Sequence, residues 1–140
     1  MRTIKFRAWD KIDKSMVYYH EDCSCPDMTL NGVLIAHVSH SNVSHNYILM
    51  QFTGLKDKNG QEIYEGDIVR FSRINSDTNK HIEIIGKIGY DHGGFRIYYC
   101  VPSKIISPLC HWTASMEVIG NIYENKELLE EQDNDKGIEV

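Results

Sequence analysis

The chain lacks the features that mark membrane-spanning and secreted proteins. None of its apolar runs approaches the roughly 20 residues of a membrane-spanning helix, and the alternating start at Met1–Lys5 is unlike a signal peptide. It also lacks the glycine-rich nucleotide-binding motifs and the Gly-x-Ser-x-Gly hydrolase motif. We therefore expect a soluble, cytosolic protein of 140 residues with no membrane partner and none of the commonest catalytic signatures.

Net positive charge is also missing, and cysteine is limited to four positions. Residues 124–140 hold seven acids and two bases, so this tail carries the whole net charge of −5 and residues 1–123 sum to zero. A neutral body with an acidic tail is not the electrostatic footprint of a general nucleic-acid binder. In a cytosolic chain the four cysteines are expected to be thiols.

The clearest structural signal lies between Gln51 and Phe71. Its turn sequence, residues 57–60, combines Asp, Asn and Gly; Asn and Gly reach positive φ at little cost, and Asp can bond its own backbone. Residues 65–67 interrupt two β-prone runs and predict a kink between strands. The structural turn residues predicted from this segment are Asn59, Gly60, Gly66 and Asp67.

Short strands between turn signals account for most of the remaining chain, and strong helical periodicity is absent. A hairpin is predicted around residues 10–15, a second hairpin turn at 91–94, a bulge or bend at Gly86, and a loop or short helical turn at 102–108. The predicted strands cover residues 3–9, 16–20, 47–52, 63–64, 68–71, 81–90, 95–101 and 116–122.

This pattern predicts an all-β, mainly antiparallel fold. We expect an SH3-like small barrel in the C-terminal half, with an N-terminal β-hairpin extension and a short C-terminal helical turn. Residues 1–50 form the extension packing on the barrel, residues 51–125 form the barrel, and residues 126–140 form the short helix and an acidic tail. Asn125 is the predicted N-cap of that helix, and the tail is too polar to bury a core and is expected to be disordered.

Four blocks of the sequence resemble the YopX family, whose members are small proteins encoded mainly by phages and prophages of bacteria. The blocks are FRAWD at 6–10 with Met16, QFTGLKDKNG at 51–60, IYEGDIV at 63–69, and VIGNIYEN at 118–125 with Leu128-Leu129. The resemblance implies a β-rich fold, a mobile-element origin and the cytoplasm of a bacterial host. It implies no activity, cofactor or catalytic residue.

A metal site is one hypothesis for the region outside these blocks. Cys23, Cys25, His37, His40 and His45 offer zinc-type ligands within a short span, and Cys-x-Cys places two sulfurs on one face of a strand. The spacing of His37 and His40 suits a helix, which the surrounding polar sequence does not favour. A polar loop that carries histidines is the simpler interpretation, so we expect no metal and no other cofactor.

Acid–base chemistry is a second hypothesis. Glu62, Glu65 and Asp67 cluster beside the kink, and Glu124 lies in another of the blocks; paired carboxylates can divide acid and base roles when burial separates their pKa values. The simpler interpretation is that Asp67 bonds backbone amides at the bend and that Glu65 is exposed or ion-paired.

Nucleophilic catalysis is a third hypothesis. Cys100 ends a predicted strand, and Cys110 is adjacent to His111 in sequence. Neighbouring side chains of a strand face opposite ways, so this adjacency does not make a catalytic dyad. We therefore expect that the protein is not an enzyme.

Nucleic-acid binding is a fourth hypothesis. The residues that would form a stacking platform with cations are Lys5, Arg7, Trp9, Lys11 and Lys14, with Tyr18 and Tyr19 nearby. This hypothesis requires the cations on one face and an exposed Trp9 or Tyr19. The simpler interpretation is that Trp9 covers one end of the barrel.

These considerations favour a non-enzymatic protein-interaction or self-assembling module of phage or prophage origin. Its partner would be another protein or a second copy of the chain, and the paired N-terminal strands are the expected handle for a homo-oligomer, by edge pairing or swapping. The alternative is a nucleic-acid-binding accessory factor in phage replication or expression.

Overall fold

The structure is a computed structural model that describes residues 3–19, 26–29, 31–36, 41–100, 104–109 and 113–130. Within these residues the chain forms eleven strands, a 3₁₀ turn at Ser44–Asn46 and a helical turn at 127–130. The strands are β1 (Phe6–Asp10), β2 (Ser15–Tyr18), β3 (Asp27–Met28), β4 (Leu34–Ile35), β5 (Tyr47–Lys56), β6 (Glu62–Tyr64), β7 (Asp67–Ile74), β8 (His81–Asp91), β9 (Gly94–Cys100), β10 (Lys104–Pro108) and β11 (Glu117–Asn121).

The strands pair antiparallel, so the predicted all-β, mainly antiparallel fold class is confirmed. No helix of the described residues is long and apolar enough to cross a membrane. The contacts divide the chain into two units, Met1–Phe52 and Thr53–Val140. The tail predicted to be disordered lies beyond residue 130, outside the described residues.

In the first unit, β1 lies between β2 and β5, and the predicted N-terminal hairpin is confirmed. Trp9 lies opposite Met16 on β2 and Ile48 on β5. Backbone hydrogen bonds continue the β1–β5 ladder at both ends, from Phe52 N–H to the Lys5 carbonyl and from Lys11 N–H to the Asn46 carbonyl. Strands β3 and β4 form a separate two-stranded sheet.

The second unit is built on a five-stranded sheet with the order β10-β9-β8-β7-β11, and the end of β5 lies beside β6. Alternate residues of the long strands point into one core, as the period of two requires. The buried core consists of Ile63, Val69, Phe71, Ile82, Ile84, Ile88, Ile97, Tyr99, Leu109 and Met116. The rings of Phe71 and Tyr99 meet edge to face, with centroids 5.3 Å apart.

The predicted hairpin turn at 91–94 is confirmed. His92 and Gly93 both have positive φ, 50° and 75°, and Asp91 pairs with Gly94. Two positive φ angles at the centre of a two-residue loop match the right-handed twist of the flanking strands. The loop therefore fixes the register of β8 against β9.

One sequence prediction was wrong, and one of the two alternatives for Gly86 is excluded. Gly86 is not a bulge, because its pairing with Val69 and Tyr99 is regular, whereas the bend stays a prediction. A Cβ at Gly86 would lie 2.8 Å from the Tyr98 carbonyl oxygen. The irregular register lies in β11 instead, between Val118 and Gly120. Residues 102–108 are not simply a loop or helical turn, because 104–108 form β10, which pairs with β9 as an outer strand. Proline is tolerated in such a position.

Candidate functional site

Asp57 holds the turn at residues 57–61 through its side chain. Its Oδ1 accepts hydrogen bonds from the N–H groups of Asn59 and Gln61, at 2.8 and 2.9 Å. Its Oδ2 accepts a third, at 2.9 Å, from Val118 N–H on β11. Asp57 is only 7% exposed. Asp57 therefore closes its own turn and ties that turn to the last strand.

The kink between β6 and β7 is held in the same way. Gly66 has a φ of 83°, and its backbone bonds the Ile88 carbonyl and the Ile122 N–H, both at 2.9 Å. Asp67 is 2% exposed and accepts a 2.8 Å hydrogen bond from Tyr64 N–H. The structure thus places Gly66 and Asp67 at the bend where the sequence predicts turn residues, as it does Gly60, whose φ is 82°.

Asn121, the last residue of β11, holds the turn that follows this strand through its side chain. Its Oδ1 accepts hydrogen bonds from the N–H groups of Tyr123 and Glu124, at 3.0 and 2.9 Å. The predicted cap residue, Asn125, uses its Oδ1 to accept from Asn121 N–H at 3.2 Å. A Cβ on Gly120 would lie 2.5 Å from that oxygen, so a residue other than glycine would displace the Asn125 side chain.

The carboxylates singled out in the sequence differ in their burial and in their contacts. Glu62 accepts a 3.2 Å hydrogen bond from the Tyr64 hydroxyl, and Asp67 is committed to the Tyr64 amide. Glu65 is half-buried at the kink, whereas Glu124 is exposed. The arrangement chiefly organises backbone around the bend.

The proposed stacking platform lies in the first unit, and its members differ in exposure. Arg7 is only 3% exposed, and its Nη1 donates to the Tyr18 hydroxyl at 3.5 Å. Trp9, on the same face of β1, is half-buried. Lys5 and Lys14 are exposed. Burial removes Arg7 from contact with a phosphate, so the cations available to a ligand are fewer than the sequence suggests.

Two of the exposed lysines already contact this unit. The Lys11 ammonium donates to the His45 carbonyl at 3.2 Å, and Lys5 lies 5.5 Å from the centre of the Phe52 ring. Both contacts leave the lysine side chains at the surface, where a cation attracts anions in a salt-dependent way. Nucleic-acid binding by this set remains a prediction.

Tyr19 carries a buried polar group in this first unit. Its hydroxyl is buried and has no hydrogen-bond partner among the described residues. Burial, followed by the nearby Tyr47 and Asp27, raises the pKa of Tyr19 to about 12. Burial, with Asp10 and Asp13, likewise raises the pKa of Tyr47 above its usual value.

The second unit has a groove of about 270 Å³ that the sequence does not reveal. Arg70 lies on its rim and binds two carboxylates, Glu117 at 2.8 Å and Glu83 at 3.0 Å. The hydrogen bond to Glu117 is the main reason that the pKa of Arg70 is raised above its usual value. Lys58 lies 3.9 Å from the same Glu117 oxygen.

Two cations facing two carboxylates give this groove no net attraction for an anion. Its remaining lining is polar, with Ser72, His81 and Ser115, above the buried ring of Phe71. The sequence could mark Arg70 as a charged residue within a β-prone run. It could not identify Glu117, which lies 47 residues away.

The metal hypothesis falls outside the described residues. Cys23, Cys25, His37 and His40 all lie in the gaps of the described ranges, and His45 is exposed in the 3₁₀ turn. Among the described residues, no group of three or more His, Cys, Asp or Glu could hold a metal ion. The pair formed by Cys110 and His111 also lies outside them, and Cys100 ends β9.

The fold and these hydrogen bonds define a β-rich protein in which polar residues of the four sequence blocks hold turns of the backbone in place. The family model described as YopX protein matches residues 5–130, and the chain belongs to this family. Among solved structures it is similar to "Crystal structure of protein EF1440 from Enterococcus faecalis", at 28% identity and a TM-score of 0.60. That similarity covers 92% of this chain and 99% of the other. The comparison with curated proteins gives no match.

Proposed function

We propose that the protein is a non-enzymatic interaction or self-assembling module, encoded by a phage or prophage and acting in the cytoplasm of its bacterial host. The observation that carries this proposal is the set of hydrogen bonds that the polar residues of the family blocks accept from the backbone. Asp57, Asp67 and Asn121 are buried and accept hydrogen bonds from backbone amides. Such groups hold loops in place.

The second unit would serve as the scaffold of this module, with a small barrel of the SH3-like type. Support comes from its strand order, in which β7 to β10 follow one another and β11 returns to pair with β7. The strands enclose one apolar core. Closed or nearly closed small barrels protect most of their strand edges and present loops and outer strands to partners.

The first unit would present the interaction surface. Four of its large apolar side chains are exposed: Ile4 by 57%, Ile12 by 70%, Tyr18 by 46% and Met28 by 37%. Exposed apolar groups near an outer strand are common in protein interfaces, where an added strand supplies backbone hydrogen bonds. A protein partner, including a second copy, would therefore bind at this sheet.

A nucleic-acid-binding accessory factor in phage replication or expression is the second candidate. The exposure of Lys5, Lys11 and Lys14 around the first hairpin favours it. The burial of Arg7 and the net charge of −5 weigh against it. If this candidate is right, affinity for a single strand falls steeply with salt as counterions are released.

Light scattering separates the two candidates. The mass of the full chain would be measured at low and moderate salt, with and without a short single-stranded oligonucleotide. We expect an oligomer whose mass changes little with salt and does not respond to the oligonucleotide. A monomer that gains mass with the oligonucleotide, and loses it at higher salt, would replace the interaction module with the nucleic-acid factor.

A further inference from the structure

We propose that β2 pairs antiparallel with β2 of a second copy, about a two-fold axis that passes through Val17. The inference rests on the proposed function, since it names the partner and the contact of the self-assembling module. It joins the two N-terminal sheets edge to edge into one continuous sheet.

The outer strands of the two larger sheets differ in how they are protected from pairing. Strand β10 contains Lys104 and Pro108, and β11 carries Glu117 and the irregular register before Gly120. Strand β6 has three residues, and the amide of Tyr64 donates to Asp67. Charges, prolines, bulges and short length are the usual means of blocking an outer strand.

Strand β2 has none of these devices except modest length. Its sequence, Ser-Met-Val-Tyr at 15–18, is uncharged and lacks proline, and its pairing with β1 is regular. It ends the sheet order, so no described strand lies on its outer side. Of the four outer strands, β2 is therefore the one best suited to accept another strand.

The hydrogen bonds show which residues of β2 face outward. Tyr19 N–H donates to the Phe6 carbonyl at 3.5 Å, so the backbone of Phe6 faces β2. Lys5 and Lys11 are bonded toward β5, so the residues of β1 that alternate with them face β2. Because successive residues of a strand direct their backbone groups to opposite sides, Val17 also faces β1. The backbones of Met16 and Tyr18 then point away from β1.

The outward direction of the Met16 and Tyr18 backbones limits which residues of the two β2 strands can lie opposite each other. Residues directly opposite in an antiparallel pair direct their backbone groups the same way, so, for pairing within the described residues of this segment, Met16 must face Met16 or Tyr18 of the other copy. Facing Met16 would require Lys14 to pair with Tyr18, but Lys14 has a φ of 52° and is not extended. Placing Val17 on the axis, with Met16 opposite Tyr18, keeps all pairing within residues 15–19.

The side chains suit a second copy in this register. Met16 and Tyr18 share a face of the sheet, and Tyr18 is 46% exposed. Each Met16 would meet a Tyr18 ring, a favourable sulfur–aromatic contact. No like charges are opposed along the strands.

Cysteine cross-linking tests this register in the full chain. With Val17 on the axis, the two Val17 Cα atoms are about 4.5 Å apart, as in a non-hydrogen-bonded pair, which is within disulfide range. The two Met16 Cα atoms are diagonal and more than about 7 Å apart, which is too far. Val17→Cys and the matched Met16→Cys would be oxidised with oxidised glutathione, with the wild type as the background from its own cysteines.

We expect Val17→Cys to cross-link about tenfold more than Met16→Cys or the wild type, with a peptide joined through two copies of residue 17 in mass spectrometry. Equal cross-linking of the two variants would overturn the register, and an oligomer without the residue-17 link would refute this contact while leaving the proposed function standing. A monomer that gains mass with oligonucleotide would instead refute the proposed function.

A measurement on the wild type keeps the inference testable if either variant is destabilised. Pairing places the Met16 N–H in an intermolecular hydrogen bond. Its hydrogen exchange should therefore slow as protein concentration rises, whereas the exchange of Val17 N–H, which faces β1, should change less. Concentration-independent exchange at Met16 would contradict the pairing.

Discussion

Asp10 in the first unit and Asp57 in the second begin their turns in similar ways, but only Asp57 reaches beyond its own turn. One oxygen of Asp10 accepts the amides of Ile12 and Asp13, at 2.9 and 3.0 Å. Asp57 does the same for its own turn and adds Val118, 61 residues further along the chain. A local bond shapes a loop, whereas a long-range bond also joins elements that the chain must bring together.

The same contrast extends to other polar groups. In the second unit, Asp67 and Asn121 are buried and hydrogen-bonded to backbone amides. In the first unit, the Tyr19 hydroxyl is buried with no hydrogen-bond partner among the described residues, and β2 ends its sheet. The second unit therefore has the polar interactions expected of a scaffold, while the first contains β2, the strand at which we propose that a partner binds.

The largest predicted effect separates the two aspartates. Asp57→Ala leaves three backbone donors without their acceptor, and we expect it to lower the free energy of unfolding by about 3 kcal/mol. Asp10→Ala removes only two local bonds, at a side chain of similar burial (8% exposed), and should cost about 1 kcal/mol. Urea denaturation of both variants measures the difference. Equal losses would remove the distinction between the two turns.

Asp57→Asn is the control for the role of the second oxygen. Asparagine keeps one carbonyl oxygen, which can still accept from Asn59 and Gln61, but it presents an NH₂ group or no acceptor to Val118 N–H. We expect Asp57→Asn to have a free energy of unfolding between those of the wild type and Asp57→Ala. A loss as large as that of alanine would show that the negative charge, more than the oxygen count, holds the turn.

A smaller effect is predicted at Gly120. The added Cβ in Gly120→Ala would lie 2.8 Å from the Cβ of Asn125, so Asn125 must move and lose its bond to Asn121 N–H. We expect a loss of about 2 kcal/mol. Thermal or urea unfolding measures it.

A double-mutant cycle isolates the cause of that loss. In an Asn125→Gly background no side chain remains to clash, so Gly120→Ala should cost much less there. Gly94→Ala is the matched control, because its nearest heavy atom is 4.0 Å away, and it should change stability by less than about 0.5 kcal/mol. An unchanged cost in the Asn125→Gly background would rule out the clash.

The smallest effect, of opposite sign, is predicted at Tyr19. Tyr19→Phe removes a buried hydroxyl with no hydrogen-bond partner among the described residues, and should raise stability by about 0.5–1 kcal/mol at neutral pH. In the wild type the raised pKa of Tyr19 means that the unfolded chain loses the proton first, near its usual pKa of 10.0. Stability should therefore fall as pH rises from 10.0 to about 12.

Urea unfolding at several pH values checks both parts of this prediction. Tyr19→Phe should flatten the decline above pH 10.0, and absorbance titration should show one late-ionising tyrosine fewer. Tyr90→Phe is the control, because Tyr90 is 56% exposed. An equal flattening in the Tyr90 variant would mean that Tyr19 is not the group responsible.

Turns and hairpins were predictable because their signals are local. The Asp-His-Gly-Gly turn at 91–94 and the turn ending at Gly60 depend on residues that adopt positive φ, and neighbouring sequence is enough to recognise them. The same holds for the alternating first strand. These elements fixed most of the expected antiparallel architecture.

The errors and omissions arise from contacts across the sheet. Strand β10 exists through its pairing with β9, although Pro102 and Pro108 indicate a break when read alone. Gly86 is required by the nearby Tyr98 carbonyl, a neighbour that the sequence does not identify. Arg7 occupies a polar position of an alternating strand and is nevertheless 3% exposed. The partners of Arg70 are distant in sequence for the same reason.

Sedimentation equilibrium over a dilution series tests the pairing of β2 most directly, because it gives the mass of the wild type, Met16→Pro and Met16→Ala. Proline removes the outward N–H of Met16 and leaves the β1–β2 bonds intact, which an outer strand tolerates, whereas alanine keeps that N–H. We expect a wild-type dimer, a monomeric but folded Met16→Pro, and a Met16→Ala that still associates. A wild type that is monomeric at every concentration, or a Met16→Pro that associates equally well, would contradict the pairing of β2.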